Sequence, residues 1–204
     1  MLWRLPTSLL LALSLLTGCA SLQGPVTEAA DPTAVNAAWS ARQQQLSSLS
    51  GFELIGRVAV TGGGLSGALR WQQQGEVFRV RIAGPFGAGA LSMEGTPAQV
   101  AIKGKDIDLV TDQPEQVLAA RTGWRLPLGS LRWWVLGLPA PDVALPASVT
   151  LDAQGRALAL QQRGWTLRYS HYREDLLPAM PGRIEASQGE WSATVVLETL
   201  TLKP

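Results

Sequence analysis

The sequence predicts a mainly-β chain, a long antiparallel sheet with one apolar face covered by two or three short helices. Three observations carry that expectation. Apolar and polar residues alternate through most of residues 52–111 and again from Ser148 onward. Turn pairs such as Gly75-Glu76, Gln154-Gly155 and Arg163-Gly164 separate the alternating runs. Helical spacing is confined to residues 31–51 and to the interval between Asp112 and Pro141.

The first helix opens at Asp31, a good N-cap, with Pro32 at the first helical position. Val35, Trp39, Arg42, Leu46 and Leu49 recur at three- and four-residue spacing, and Gly51 is expected to close the helix. The period then drops to two. In "FELIGRVAV", Phe52, Leu54, Gly56, Val58 and Val60 share a face. "TGGGLSG" reads as a turn, and "ALRWQQQ" puts Leu69 and Trp71 on one side. "VFRVRI" sets Phe78, Val80 and Ile82 against Arg79 and Arg81, and "AGALSME", "AQVAIKG" and "IDLVT" continue the meander. Asp112 then reads as the cap of a helix carrying Val117 and Leu118. A second helical core follows in "LPLGSLRWWVLGLPAP", with Leu128, Leu131, Val135 and Leu138 on one stripe, Trp134 beside it, and proline at both ends. Hairpins return in "SVTLDAQGRALALQQRGWTLRYSHY", and "RIEASQGEWSATVVLETLTL" supplies two more strands, roughly eleven in all. A twisted antiparallel sheet of that length tends to curl, and its concave apolar face needs cover. The helices either fill that space as a core or roof it as lids, and the residue pattern leaves both open.

Residues 1–18 read as an export signal. Arg4 gives a positive start, and Leu5 to Leu16 form an apolar run too short to span a bilayer comfortably. The run ends in "LTGC", which resembles a bacterial lipoprotein box and implies cleavage before Cys19 and acylation of that residue. Cys19 is the sole cysteine, so no disulfide forms within the chain. Two or three acyl chains on one residue anchor a protein stably, where a single chain binds marginally. Ala20 in place of aspartate points, by resemblance to lipoprotein sorting, to the outer membrane rather than the inner. Residues 19–30 are expected to be a lipidated N-terminus and flexible tether, and residues 31–204 a single domain.

Without Arg4, the 17 basic residues become 16, matching 16 acidic ones. Lys and Arg are dispersed along the strands, so nucleic acid is not an expected partner. Catalysis has little to build on. The single histidine, His171, lies in a strand with no second His or Cys to complete a zinc site. Asp106 and Asp108 fit the solvated side of an edge strand. "GGGLSG" joins two strands with no helix after it, so it is neither a phosphate loop nor a serine-nucleophile elbow. The expectation is a protein that is not an enzyme and uses no cofactor or metal.

Tryptophan usage is unusual. Trp39, Trp71, Trp124, Trp133, Trp134, Trp165 and Trp191 follow the signal, against three Phe and two Tyr. Adjacent Trp133 and Trp134 diverge by about 100° on a helix, so one of them is expected to line something other than the main core. "GPFG", Gly84, Pro85, Phe86 and Gly87, sets an aromatic in a turn. Phe86 either folds back under the sheet rim or projects into solvent.

"SLRWWVLGLPAP", the "LD" and "GR" pairs that follow it, "GWTLRYSHY" and "PAMPGRI" together resemble the LolB family of outer-membrane lipoprotein receptors. The Trp39, Arg42, Leu46 and Leu49 spacing, "GRVAV" and "GPFG" fit the same pattern, so the likeness covers essentially the whole chain. The resemblance implies an open, incomplete β-barrel with helical lids over a hydrophobic cavity. It implies a monomer that takes acylated lipoproteins from the periplasmic carrier LolA and releases them into outer-membrane lipid, anchored on the periplasmic face through Cys19. The family loop Asn-Pro-Leu-Gly exposes an apolar residue for membrane delivery, and Phe86 stands at the matching place, with Gly84 where the family has asparagine. Strand alternation then puts Leu69, Trp71, Phe78, Val80 and Ile82 on the acyl-chain cavity, with Leu131 and Trp134 from the lid. Two rival readings are a lipocalin-like carrier of a small lipophile, with a closed barrel, and a scaffolding lipoprotein, with a filled core.

Overall fold

The computed structural model describes residues 31–61, 65–123, 125–141 and 147–204. The export signal, Cys19 and its tether, the glycine run of the first hairpin and Trp124 lie outside the described residues. Helix α1 (Pro32–Ser47) leads into strands β1 (Gly51–Thr61), β2 (Ser66–Gln74), β3 (Val77–Ala83), β4 (Leu91–Thr96), β5 (Gln99–Gly104) and β6 (Ile107–Thr111). Helices α2 (Pro114–Thr122) and α3 (Leu128–Trp134) interrupt, and β7 (Ser148–Leu151), β8 (Ala157–Gln162), β9 (Trp165–Arg173), β10 (Met180–Gln188) and β11 (Trp191–Lys203) complete the chain.

The eleven strands of the described residues form one sheet in the order β6-β5-β4-β3-β2-β1-β11-β10-β9-β8-β7. Every neighbouring pair is antiparallel, and the first and last strands of the chain meet in the middle. Strands β6 and β7 end the order without pairing to each other, so the barrel stays open. Curvature has a local cause in β1, where the register against β11 shifts between Ile55 and Gly56. A Cβ on Gly56 would sit 2.2 Å from the carbonyl oxygen of Val196, so glycine is required at that close approach.

Three local expectations need correction. Helix α1 is capped by Asp31, whose carboxylate accepts from the Thr33 N–H at 2.9 Å, but it ends at Ser47, before Gly51. Gly51 instead opens β1, where a Cβ would meet the Gln73 carbonyl oxygen at 2.0 Å. Close strand approach, not helix termination, calls for that glycine. At α2 the N-cap is Gln113 rather than Asp112, and the Gln113 N–H donates to the Thr111 hydroxyl at 2.9 Å. Helix α3 stops at Trp134, short of Val135 and Leu138. Gly137 takes φ +75°, and the Leu138 N–H donates back to the Trp133 carbonyl at 3.0 Å. Leu138 is nonetheless buried.

Helix α1 closes the end of the sheet where β9 finishes and β10 begins. It buries Leu46 and Arg42, and an Arg42 Nη lies 3.5 Å from the Met180 sulfur. The Tyr172 ring lies between Arg42 and Arg156, at 5.8 and 4.5 Å from its centroid. Its hydroxyl donates to the Ala157 carbonyl at 2.6 Å. Arg156 in turn pairs with Asp152 at 2.6 Å and with Glu174. Burial raises the Tyr172 phenol to about 12 and pushes Tyr169 up as well.

Candidate lipid cavity and projecting loop

The rest of the concave face is not filled. An apolar cavity of about 140 Å³ lies between the sheet and α3. Strand alternation delivers the floor: Leu69 and Trp71 from β2, Phe78, Val80 and Ile82 from β3, with Leu131 and Trp134 from α3 above. The structure thus brings together all seven residues singled out from the sequence. Leu69, Phe78, Val80, Ile82 and Trp134 are buried, while Trp71 and Leu131 are half-buried. The far wall was not foreseen. Met93 of β4, Trp165 of β9 and Ile184 of β10 join the lining because the sheet curls until distant strands face each other. Among the described lining residues, Gln73 and Arg132 are the two with amide or charged side chains.

Those two side chains explain how α3 is held. The Gln73 amide accepts from the Trp71 indole N–H at 2.9 Å and donates to the Gly75 carbonyl at 2.8 Å. Arg132 donates to the same carbonyl at 2.7 Å, tying α3 to the β2–β3 turn. Gln162 of β8 does the equivalent work at the other side. Its amide oxygen accepts from the Trp134 indole and the Ala140 N–H, each at 2.9 Å, and its amide nitrogen donates to the Ala140 carbonyl at 2.8 Å. The start of α3 is tied to α2, since the Leu128 N–H donates to Glu115 at 2.9 Å. Neither Gln73 nor Gln162 was foreseen as functional. A signal existed: each is an amide on the inward side of a strand whose other inward residues are apolar.

Trp133 and Trp134 diverge as helical geometry requires. Trp134 is buried in the cavity wall, its ring 6.1 Å from that of Trp165. Trp133 is half-buried, and the Arg132 guanidinium covers it at 4.6 Å.

Phe86 is at 111% relative exposure, standing out from the rim rather than folded beneath it. Pro85 to Gly87 form one tight turn, closed by the Gly84 N–H donating to the Ala88 carbonyl at 2.9 Å. Phe86 has φ 56° and ψ 21°, the left-handed region. That conformation costs an L-residue roughly 1–2 kcal/mol, and the turn holds it there without any burial in return. The loop leaves the sheet at the last β2–β3 rung, Ala68 opposite Ala83, near the end where β11 begins. The α2–α3 connection reaches the same end, where Gly123 abuts the Trp191 ring.

His171 is exposed and contacts the Ser170 hydroxyl at 3.0 Å, and Asp108 faces Lys103 at 3.9 Å. Neither lies at the cavity.

Known proteins place this architecture. The family model described as outer membrane lipoprotein LolB matches residues 50–202. The outer-membrane lipoprotein LolB of Nitrosococcus oceani is 36% identical over 185 residues, covering 89% of this chain and 90% of the relative. The protein of the same name from Pseudomonas savastanoi pv. phaseolicola is 36% identical over 189 residues, covering 91% and 90%. A LolA superfamily protein from Nitrosomonas europaea superposes with a TM-score of 0.51 over 84% of this chain and 94% of its own, at 10% identity, a likeness of fold alone. The family model spans most of the folded chain, and relatives above 30% identity match it nearly end to end, so the chain belongs to the LolB family of outer-membrane lipoproteins.

Proposed function

We propose that this chain is the outer-membrane receptor that accepts lipoproteins from the periplasmic carrier LolA, shelters their acyl chains under α3 and releases them into outer-membrane lipid. As a LolB-family member it is not an enzyme. The observation that carries the reading is the apolar space beneath a short helix held by a few discrete hydrogen bonds. An open sheet tells against the lipocalin-like reading, and an unfilled concave face tells against a scaffold.

Size dictates the mechanism. A void near 150 Å³ holds one benzene, and pockets for drug-sized ligands run to about 300–1,000 Å³. At about 140 Å³ the cavity is too small for several acyl chains, which enter as α3 moves outward. Each methylene hidden from water contributes about 0.8 kcal/mol, enough over several long chains to drive that opening. Gln73 and Arg132 satisfy each other's surroundings at the turn rather than donating into the cavity, so the lining offers acyl chains no polar competition.

Cys19, acylated after removal of residues 1–18, tethers the monomer to the periplasmic face. Gly84, Pro85, Phe86 and Gly87 form the membrane-insertion loop. Seating Phe86 in the bilayer recovers roughly 1.5–3 kcal/mol that exposure withholds. In a reconstituted transfer from loaded LolA to vesicles, Phe86→Glu should fold and accept cargo normally yet fail to deliver it. Normal delivery by that variant would remove the loop from the mechanism. Failure of the wild-type protein to take any cargo from LolA would reject the receptor reading.

A further inference from the structure

We propose that Arg70 and Arg81 form a headgroup-binding pair that holds anionic lipid phosphates at the base of the Phe86 loop. The proposal rests on the reading that this loop enters a bilayer. On the outer face of the sheet, Arg70 of β2 lies directly opposite Arg81 of β3, and both are exposed. Residues in that relation have Cβ atoms about 4.5–5.5 Å apart, and like charges there repel. The other cations of the same face on β1 to β5 are neutralised: Arg57 by Glu198 at 2.9 Å, Arg79 by Glu94 and Lys103 by Asp108 at 3.9 Å. Among the described residues, Arg70 and Arg81 make neither an ion pair nor a hydrogen bond. A phosphate between two guanidinium forks replaces their repulsion with charge-assisted hydrogen bonds.

Position selects the partner. Arg81 lies two residues before Ala83, the last residue of β3. At about 3.3 Å per residue the pair sits roughly 7 Å from the loop base, within the reach of an arginine side chain that snorkels along the strand. Phe86, in the turn that follows that base, is fully exposed. An apolar group held at the headgroup–acyl boundary lies about 5–10 Å deep. With Phe86 at that depth, the guanidinium groups stand at the level of the phosphates. Apolar tip and cationic base match the two layers of a bilayer surface, which favours lipid over an acidic protein.

Full-length protein in phosphatidylcholine vesicles, with or without phosphatidylglycerol, tests the pair through amide hydrogen exchange of residues 86–90. Phosphatidylglycerol should raise loop protection about fivefold per arginine, roughly thirtyfold for the pair. Arg70→Gln combined with Arg81→Gln should lose that increment and keep the protection seen in neutral vesicles. Salt at 1 M, where the Debye length is about 3 Å, should also erase it. Equal wild-type protection in both vesicles, or an undiminished increment in the double variant, overturns the proposal while leaving the Phe86 reading intact. A double variant with a normal lipid response but slowed uptake from LolA assigns the pair to protein docking, which also overturns it. An unprotected wild-type loop in both vesicles defeats loop insertion itself, and the pair falls with it.

Discussion

The end of the concave face under α1 and the stretch under α3 are built from the same alternation of apolar and polar residues. Under α1, Leu46 is 1% exposed, Leu160 and Met180 are fully buried, and Tyr172 is clamped between two arginines. Under α3, Val58, Leu69, Val80 and Ile82 are as apolar but border a void. The strands do not distinguish these regions; their covers do. Helix α1 has 16 residues, buries Leu46 and Arg42 and joins β1 through a short link, whereas α3 has seven, buries Leu128, Ser130 and Trp134 and is tied down by the Gln162, Gly75 and Glu115 hydrogen bonds. In the proposed function α3 moves, and the hydrogen bonds that tie it can be exchanged for water as it does so.

That contrast can be broken or sharpened by substitution. The largest effect is expected from Leu46→Ala, which should lower unfolding free energy by about 2–5 kcal/mol because the filled end cannot collapse around the hole. Leu131→Ala, beside the existing void, should cost about 1 kcal/mol, since its atoms already lack neighbours on one side. Equal losses in denaturant titrations would show that the two covers are energetically alike. Next comes Gln162→Leu, which strands the Trp134 indole and both Ala140 backbone groups. A loss of about 1–3 kcal/mol is expected, together with faster amide exchange across α3 and unchanged exchange in α1.

Alkali should strike the filled end. The Tyr172 phenol ionises near 10 in an unfolded chain and at about 12 in the fold, so the unfolded state releases its proton first. Stability is therefore full below pH 10 and declines as the pH rises toward 12. Thermal unfolding across that range should track tyrosinate absorbance, and a flat Tm would contradict it. The smallest change in stability, at most about 1 kcal/mol, is expected for Arg132→Ala, which unties α3 from the β2–β3 turn. Its signature is functional: an environment-sensitive apolar dye should enter the cavity faster than in the wild type.

The sheet was legible because alternation with period two leaves a plain mark, and Phe78, Val80 and Ile82 could be assigned inward from six residues of sequence. The loop around Phe86 was legible as a turn. Errors clustered where one signal has two causes. Gly51 looked like a helix terminator and is a strand glycine pressed against the Gln73 carbonyl, 22 positions away. Asp112 looked like a cap, but Gln113 held that position once Thr111 finished β6.

Sequence by itself determined the strand faces, the cap of α1 and the presence of an aromatic in a glycine-flanked turn, all of which depend on residues within a few positions of each other. Tertiary structure decided the rest. Whether the apolar face would be filled, which amides would hold α3, and that Arg70 and Arg81 would stand opposite each other all depend on register and curl. These are properties of distant segments brought together, and no local pattern encodes them.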